Sequence, residues 1–173
     1  MPGVADIYQG CELTGLALVD PDNRGPVDYD RRRRLLAALT ADPDQAVGLD
    51  AEKLLVTSGA LWLRRDHPDW FAGGYTPLAC EGPAAEHAVA FLRGEHAVTV
   101  ATRLPAGLRR RGGWADTALP LPELHWRDVL TGARHAGLRP LLAELTWRLP
   151  VALLIPERVY LSEQERLTSG SDR

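Results

Sequence analysis

Residues 1–13 read MPGVADIYQGCEL, and how this stretch is built decides what the rest of the molecule can be. Val4, Ile7 and Tyr8 are strand formers, and the stretch turns at Gly10 with the acid Glu12 two residues on. Parallel sheets present their site residues from strand ends of this kind, a glycine closing the strand and polar groups standing beyond it. Such a strand needs neighbours on both sides, and only Met1 to Gly3 precede it. The expectation is a strand whose partners are supplied from elsewhere.

Working outward, 173 residues allow one ordinary domain, or a small domain and a piece of another. An apolar fraction of 45% and a charged fraction of 25% are those of a globular protein. The net charge of −3 provides no basic field to gather nucleic acid, so nucleic acid is not an expected partner. Cys11 and Cys80 are far apart and form no CxxC, which fits a reducing compartment without a disulfide framework or zinc knuckle. No apolar run approaches the roughly 20 residues that cross a bilayer, and the N-terminus lacks the pattern of a signal peptide. The expected location is the cytoplasm, with no membrane partner.

After the first strand comes TGLALVDPDNRGPVDY, a long loop with turn formers at Pro21, Asp22, Asn23, Gly25 and Pro26. A helix is predicted from about Asp30, with Leu35, Leu36 and Leu39 on one face. A second follows Asp50 as N-cap; Leu54, Leu55, Leu61 and Trp62 share its apolar face, and it ends before Pro68. Past Gly73-Gly74 the period shifts to that of strands. HAVAFLRGEHAVTVATRL, with Val89 and Phe91, a turn over Arg93 to His96, then Val98 and Val100, reads as a β-hairpin. Short strands around Thr117 to Leu121, Trp126 to Leu130 and Val151 to Ile155 complete a predicted antiparallel sandwich. The resulting division is 1–72, a strand, loop and helices unable to bury themselves alone; 73–156, a β module; and 157–173, a polar, frayed tail.

Three groups of residues carry chemistry. Tyr8, Gln9 and Glu12 cluster at a strand end. Asp20, Asp22, Asn23, Arg24 and Asp28 concentrate hydrogen-bonding groups on a loop stiffened by prolines, and long loops of that density usually bind something. Carboxylates, amides and a guanidinium suit sugar hydroxyls, while Tyr8 or Tyr29 offers a face to a pyranose ring; the competing reading is an Asx-turn-rich surface loop. Arg31 to Arg34 open a helix against its macrodipole, and with Asp28 and Asp30 beside them they read as a solvated, ion-paired face. The five histidines show no metal-ligand spacing, so no metal is expected. Trp62 reads as core. Trp114 and Trp126 read as core or edge packing, the alternative being an exposed sugar-stacking platform.

PGVADIYQGCEL, DPDNRGPVDY, KLLVTSGALWLRR and FAGGYTPLACEGP, followed by RGGWADTALPLP, WRDVLTG and PVALLIP, closely resemble the C-terminal end of the maltooligosyltrehalose synthases, a family within the α-amylase superfamily. The resemblance implies an α+β arrangement: the last strand and helices of a (β/α)8 barrel, then an antiparallel β-sandwich. Val4 to Tyr8 would be the eighth barrel strand and DPDNRGPVDY the loop lining a maltooligosaccharide cleft. The family turns the reducing-end α-1,4 bond of a maltooligosaccharide into an α,α-1,1 bond by intramolecular transglucosylation, without a cofactor. The retaining carboxylate pair this needs, about 5–5.5 Å apart, and a third assisting aspartate, sit in the superfamily on strands four, five and seven. All precede this chain, so no catalytic residue is expected in it. The substrate-binding candidates are Tyr8, Gln9, Glu12, Asp22, Asn23, Arg24 and Asp28, and the expected partners are the glucan and the missing N-terminal barrel portion. Two other readings stay open: a stand-alone carbohydrate-binding β module using Trp114 or Trp126, and a non-catalytic half of a split barrel.

Overall fold

A computed structural model describes residues 7–16, 18 and 25–161. The chain divides between Asp66 and His67 into two compact units. Val4 to Asp6 of the expected first strand, together with Asp20, Asp22, Asn23 and Arg24, lie outside the described residues, as does the tail beyond 161. Ile7 and Tyr8 are in no strand; residues 9–12 form a turn closed by the Cys11 N–H on the Tyr8 carbonyl (3.1 Å).

The first unit is helical. Helix α1 spans Tyr29–Ala41, slightly earlier than the leucine spacing suggests, because Asp28 caps it: its carboxylate accepts the Arg31 N–H at 2.8 Å. It stops at Asp42, which precedes Pro43 and is extended (φ −152°, ψ 100°), since the proline ring disfavours helical geometry in the residue before it. Helix α2 spans Leu49–Asp66. It begins one residue ahead of Asp50, so Asp50 is not its N-cap but one of two acids in its first turn, opposite Arg64 and Arg65 in its last. That charge order complements the helix dipole. Leu39, Leu54, Leu55 and Leu63 are buried together with Leu13. Trp62, expected in the core, is 37% exposed, and Leu61 is exposed as well. The apolar face of α2 is therefore only half covered within this unit.

The second unit begins with helix α3 (Pro68–Ala72), which sequence reading assigns to the first region. Six strands follow: β1 (Tyr75–Leu78), β2 (Ala88–Arg93), β3 (Ala97–Thr102), β4 (His125–Asp128), β5 (Arg134–Ala136) and β6 (Val151–Pro156). A short helix, α4 (Pro105–Arg110), follows β3, and α5 (Leu142–Leu145) precedes β6. All pairs are antiparallel, in the order β1-β2-β3-β6-β4-β5. The predicted hairpin is present as β2 and β3, with Arg93 opposite Ala97 across a turn whose Gly94 and Glu95 both have positive φ. Strand β6 lies centrally, and Ala152–Pro156 are buried without alternation, as in a strand covered on both faces.

Among the described residues this is one sheet, not the two of a sandwich. The segment from Thr117 to Leu121, expected as a strand, makes only isolated bridges, Ala118 pairing with Glu81 and with Leu141. Pro120 and Pro122 explain it: neither has an N–H to donate, so no ladder runs through them. Leu119 and Leu121 instead press onto the sheet beside Leu142 and Leu145 of α5, enclosing Val98, Val100, Trp126 and Leu154 in a core. No helix among the described residues is long and apolar enough to cross a membrane.

Candidate functional site

The helical unit holds a cleft of about 880 Å³. The turn at Tyr8–Cys11 forms one wall, Gly25–Asp28 another, and Arg32 and Lys53 reach in from the helices. Gly10 sits at φ +87°, and a Cβ there would approach Val27 Cγ2 to 2.9 Å, so the turn needs glycine for its conformation and its closeness to the opposite wall.

Arg32 fastens this wall. Its guanidinium donates to Glu12 Oε2 at 2.9 Å, to the Gly10 carbonyl at 2.6 Å and to the Asp28 carbonyl at 3.1 Å. The side chain is only 17% exposed. Burial alone would raise the Glu12 carboxyl, but its own backbone N–H, Arg32 and the Gly10 N–H outweigh it and hold the acid below its ordinary range. A second clamp lies alongside. Asp50 accepts the Thr14 N–H at 2.7 Å and Arg31 Nη2 at 2.6 Å, and Lys53 Nζ donates to the Leu13 carbonyl at 3.1 Å. The Thr14 hydrogen bonds, with Arg31, hold the Asp50 carboxyl low against the opposing effect of burial.

Of the sequence candidates, Tyr8, Gln9 and Asp28 line the cleft together. Tyr8 is 54% exposed, and Gln9 Oε1 accepts the Tyr29 hydroxyl at 3.3 Å. Asp28 is partly spent as the α1 cap. Glu12 stands behind the wall as Arg32's anion. Asp22, Asn23 and Arg24 lie outside the described residues. Sequence reading passed over Arg32, Asp50 and Lys53. It treated Arg31 to Arg34 as one solvated face, which suits Arg33, paired with Asp30 at high exposure, but not Arg32. No local spacing marks Arg32, whose carboxylate partner Glu12 lies twenty residues back in the chain.

The cleft's lining offers hydroxyl, amide, carboxylate, guanidinium and ammonium groups to hydrogen bonding. A general acid needs a carboxyl kept protonated, and Glu12 is pulled the other way. Among the described lining residues Asp28 is the only carboxylate, so no retaining pair is assembled there. Nor is any group of three His, Cys, Asp or Glu among the described residues placed to hold a metal ion.

The proposed tryptophan platform does not exist in the sheet unit. Trp126 is fully buried, its Nε1–H on the Glu123 carbonyl at 2.9 Å. Trp114 packs against the core with its Nε1–H on Thr146 Oγ1 at 2.9 Å.

In class, then, the chain is a mixed α/β protein that joins a helical, cleft-bearing unit to an antiparallel sheet. It is homologous to the maltooligosyltrehalose synthases. Two curated relatives bearing that name, from two strains of Mycobacterium tuberculosis, are 47% identical over 156 residues, 90% of this chain and 19% of theirs. The solved maltooligosyltrehalose synthase of Arthrobacter ramosus superposes with a TM-score of 0.84 at 46% identity, over 90% of this chain and 20% of that one. A solved glycosyltrehalose synthase, DSM5389, superposes with a TM-score of 0.67 at 26% identity over 90% of this chain. No family model matches the chain. The chain spans about a fifth of the length of the relatives it matches.

Proposed function

We propose that this chain is the C-terminal portion of a cytoplasmic maltooligosyltrehalose synthase, contributing one wall of the glucan cleft and the β domain that follows the barrel in sequence. In this reading residues 1–72 close the (β/α)8 barrel, with its eighth strand running into the Tyr8 turn, and 73–156 form the accompanying β domain. The whole enzyme converts the reducing-end α-1,4 bond of a maltooligosaccharide to α,α-1,1. The carboxylates that break and remake the bond come from the remaining, N-terminal portion, whether joined covalently or as a separate chain.

The observation that carries this reading is the Arg32-fastened turn. It presents Tyr8 and Gln9 to a roomy cleft and holds the Glu12 carboxyl beside it below its ordinary range. Tyr8 would stack on a pyranose ring, and Gln9 and Asp28 would meet hydroxyls, joined by Asp22, Asn23 and Arg24 from the loop. Glu12 acts through Arg32, setting the wall's position. A positioned wall of this kind contributes by orienting the sugar for attack, where small displacements cost rate. The test is incubation of the purified chain with maltohexaose, following reducing ends. They should persist undiminished, and their loss with this chain alone would contradict the proposal.

A further inference from the structure

The sheet unit has an aromatic surface that neither the core nor the cleft uses. Trp147 is 70% exposed. It borders a groove of about 540 Å³ whose other sides are Ala133, Arg134, His135 and Ala136 of the β5 hairpin, and Glu144 of α5. The ring is not hanging on a loose end. The preceding residue, Thr146, donates its hydroxyl to the Leu142 carbonyl at 2.7 Å and accepts the Trp114 indole N–H at 2.9 Å, tying this turn to the core.

The remaining groups supply polarity of both signs. Arg134 and Glu144 are exposed, and Arg134 also pairs with Glu157 at 2.7 Å. His135 Nε2 is buried and has no hydrogen-bond partner in the described structure. Burial lowers the His135 imidazole from its ordinary value, against the charges of Asp128 and Glu144, which favours the uncharged ring. Three alanines, Ala133, Ala136 and Ala143, line the groove between these groups.

We propose that this groove binds a neutral pyranose oligosaccharide, one ring stacked on Trp147 and its hydroxyls meeting Glu144, His135 and Arg134. The polarised C–H face of a pyranose suits the negative face of an indole, and a few convergent polar groups around an aromatic wall fix orientation. Charge argues for a neutral ligand: an anion would face Glu144, and a cation Arg134. A protein partner is disfavoured because the apolar elements are one ring and three small alanines, far short of the contiguous patch that protein surfaces bury.

The choice of an α-1,4-glucan as probe rests on the function proposed above; the preference for a neutral pyranose does not. The test is a titration of the isotope-labelled chain with maltoheptaose, following the five indole N–H resonances by NMR. The Trp147 resonance is assigned by its loss in Trp147→Phe. It should shift and saturate in the millimolar range, and Trp147→Ala should weaken that binding by about tenfold or more while the rest of the spectrum stays dispersed. The same response should persist in Tyr8→Ala, which separates this groove from the cleft of the helical unit. An unmoved Trp147 resonance, binding indifferent to Trp147→Ala, or a response abolished by Tyr8→Ala would each overturn the proposal, whatever becomes of the reading of the cleft.

Discussion

Arg32 and Glu12, twenty residues apart, meet at 2.9 Å, and the same guanidinium closes on the Gly10 carbonyl at 2.6 Å. The pair turns a short, glycine-hinged segment into a fixed wall. Replacing Arg32 by lysine keeps the charge but loses the planar fork that reaches three acceptors. Arg32→Lys should therefore cost about 1–3 kcal/mol, the penalty for leaving partly buried acceptors unmet. Chemical denaturation measures the loss, and hydrogen exchange should locate it in residues 9–12. A denaturation midpoint and exchange pattern matching the parent's would show that Arg32 fastens nothing.

The Glu12 carboxyl titrates below its ordinary 4.5. The sign follows directly: a folded-state pKa below the unfolded one gives stability that is present above the unfolded value and is lost as pH falls through the folded one. Glu12→Gln should flatten the acid limb of the stability curve while lowering the plateau. Urea midpoints recorded across the acid range would reveal this, and an unaltered acid limb would contradict it.

Asp128 behaves oppositely. It is 2% exposed, and burial lifts its carboxyl above the ordinary 3.8 despite hydrogen bonds from Thr131 (2.6 Å), Leu130 N–H (3.1 Å) and Leu153 N–H (3.2 Å), and the charge of His135. The folded state thus holds this proton more tightly, so the group's contribution is largest below the unfolded pKa and declines as pH rises through the folded one. Asp128→Asn keeps an oxygen for both backbone N–H groups and should change neutral-pH stability by less than about 1.5 kcal/mol while removing that decline. Asp128→Ala, which orphans both donors, should cost about 3 kcal/mol. Equal losses in the two variants would show that the site is not organised by these hydrogen bonds.

These features divide by how far they were legible in the sequence. The β2–β3 hairpin was readable because alternation and a glycine turn are local signals, and Asp28 and Pro43 bracket α1 by local chemistry. Strands β1 and β5 were missed: β1 contains Pro77, and β5 is the polar triplet Arg134–Ala136, so each is a strand only because a neighbour pairs with it. Tyr8, Gln9 and Asp28, singled out in the sequence for their polar groups, line one cleft. Arg32 was not distinguished from its neighbours, because whether an arginine turns inward depends on a carbonyl and a carboxylate that the fold brings from twenty residues away. The tryptophans show the same limit. Their composition is equal, yet Trp126 is wholly buried and Trp147 largely exposed.

Gly94 offers a test of the hairpin's seat. At φ +53° it lies against the Trp70 backbone, so an added Cβ would collide with a peptide group rather than a yielding side chain. Trp70 is itself held by ring contacts with His67 at 3.8 Å and His96 at 4.9 Å. Gly94→Ala should cost more than about 1 kcal/mol, from clash and backbone strain together. Thermal unfolding reads it, and a variant as stable as the parent would mean that the turn and α3 part without penalty.

The most direct test of the central claim is a chimera. The fifth of the Arthrobacter ramosus maltooligosyltrehalose synthase that this chain matches is replaced by the chain itself, and loss of reducing ends from maltohexaose is followed. The account predicts that the chimera converts maltohexaose, and that Tyr8→Ala within it sharply reduces conversion. A folded chimera without activity, or one indifferent to Tyr8→Ala, would contradict the claim that this chain supplies a working wall of the glucan cleft.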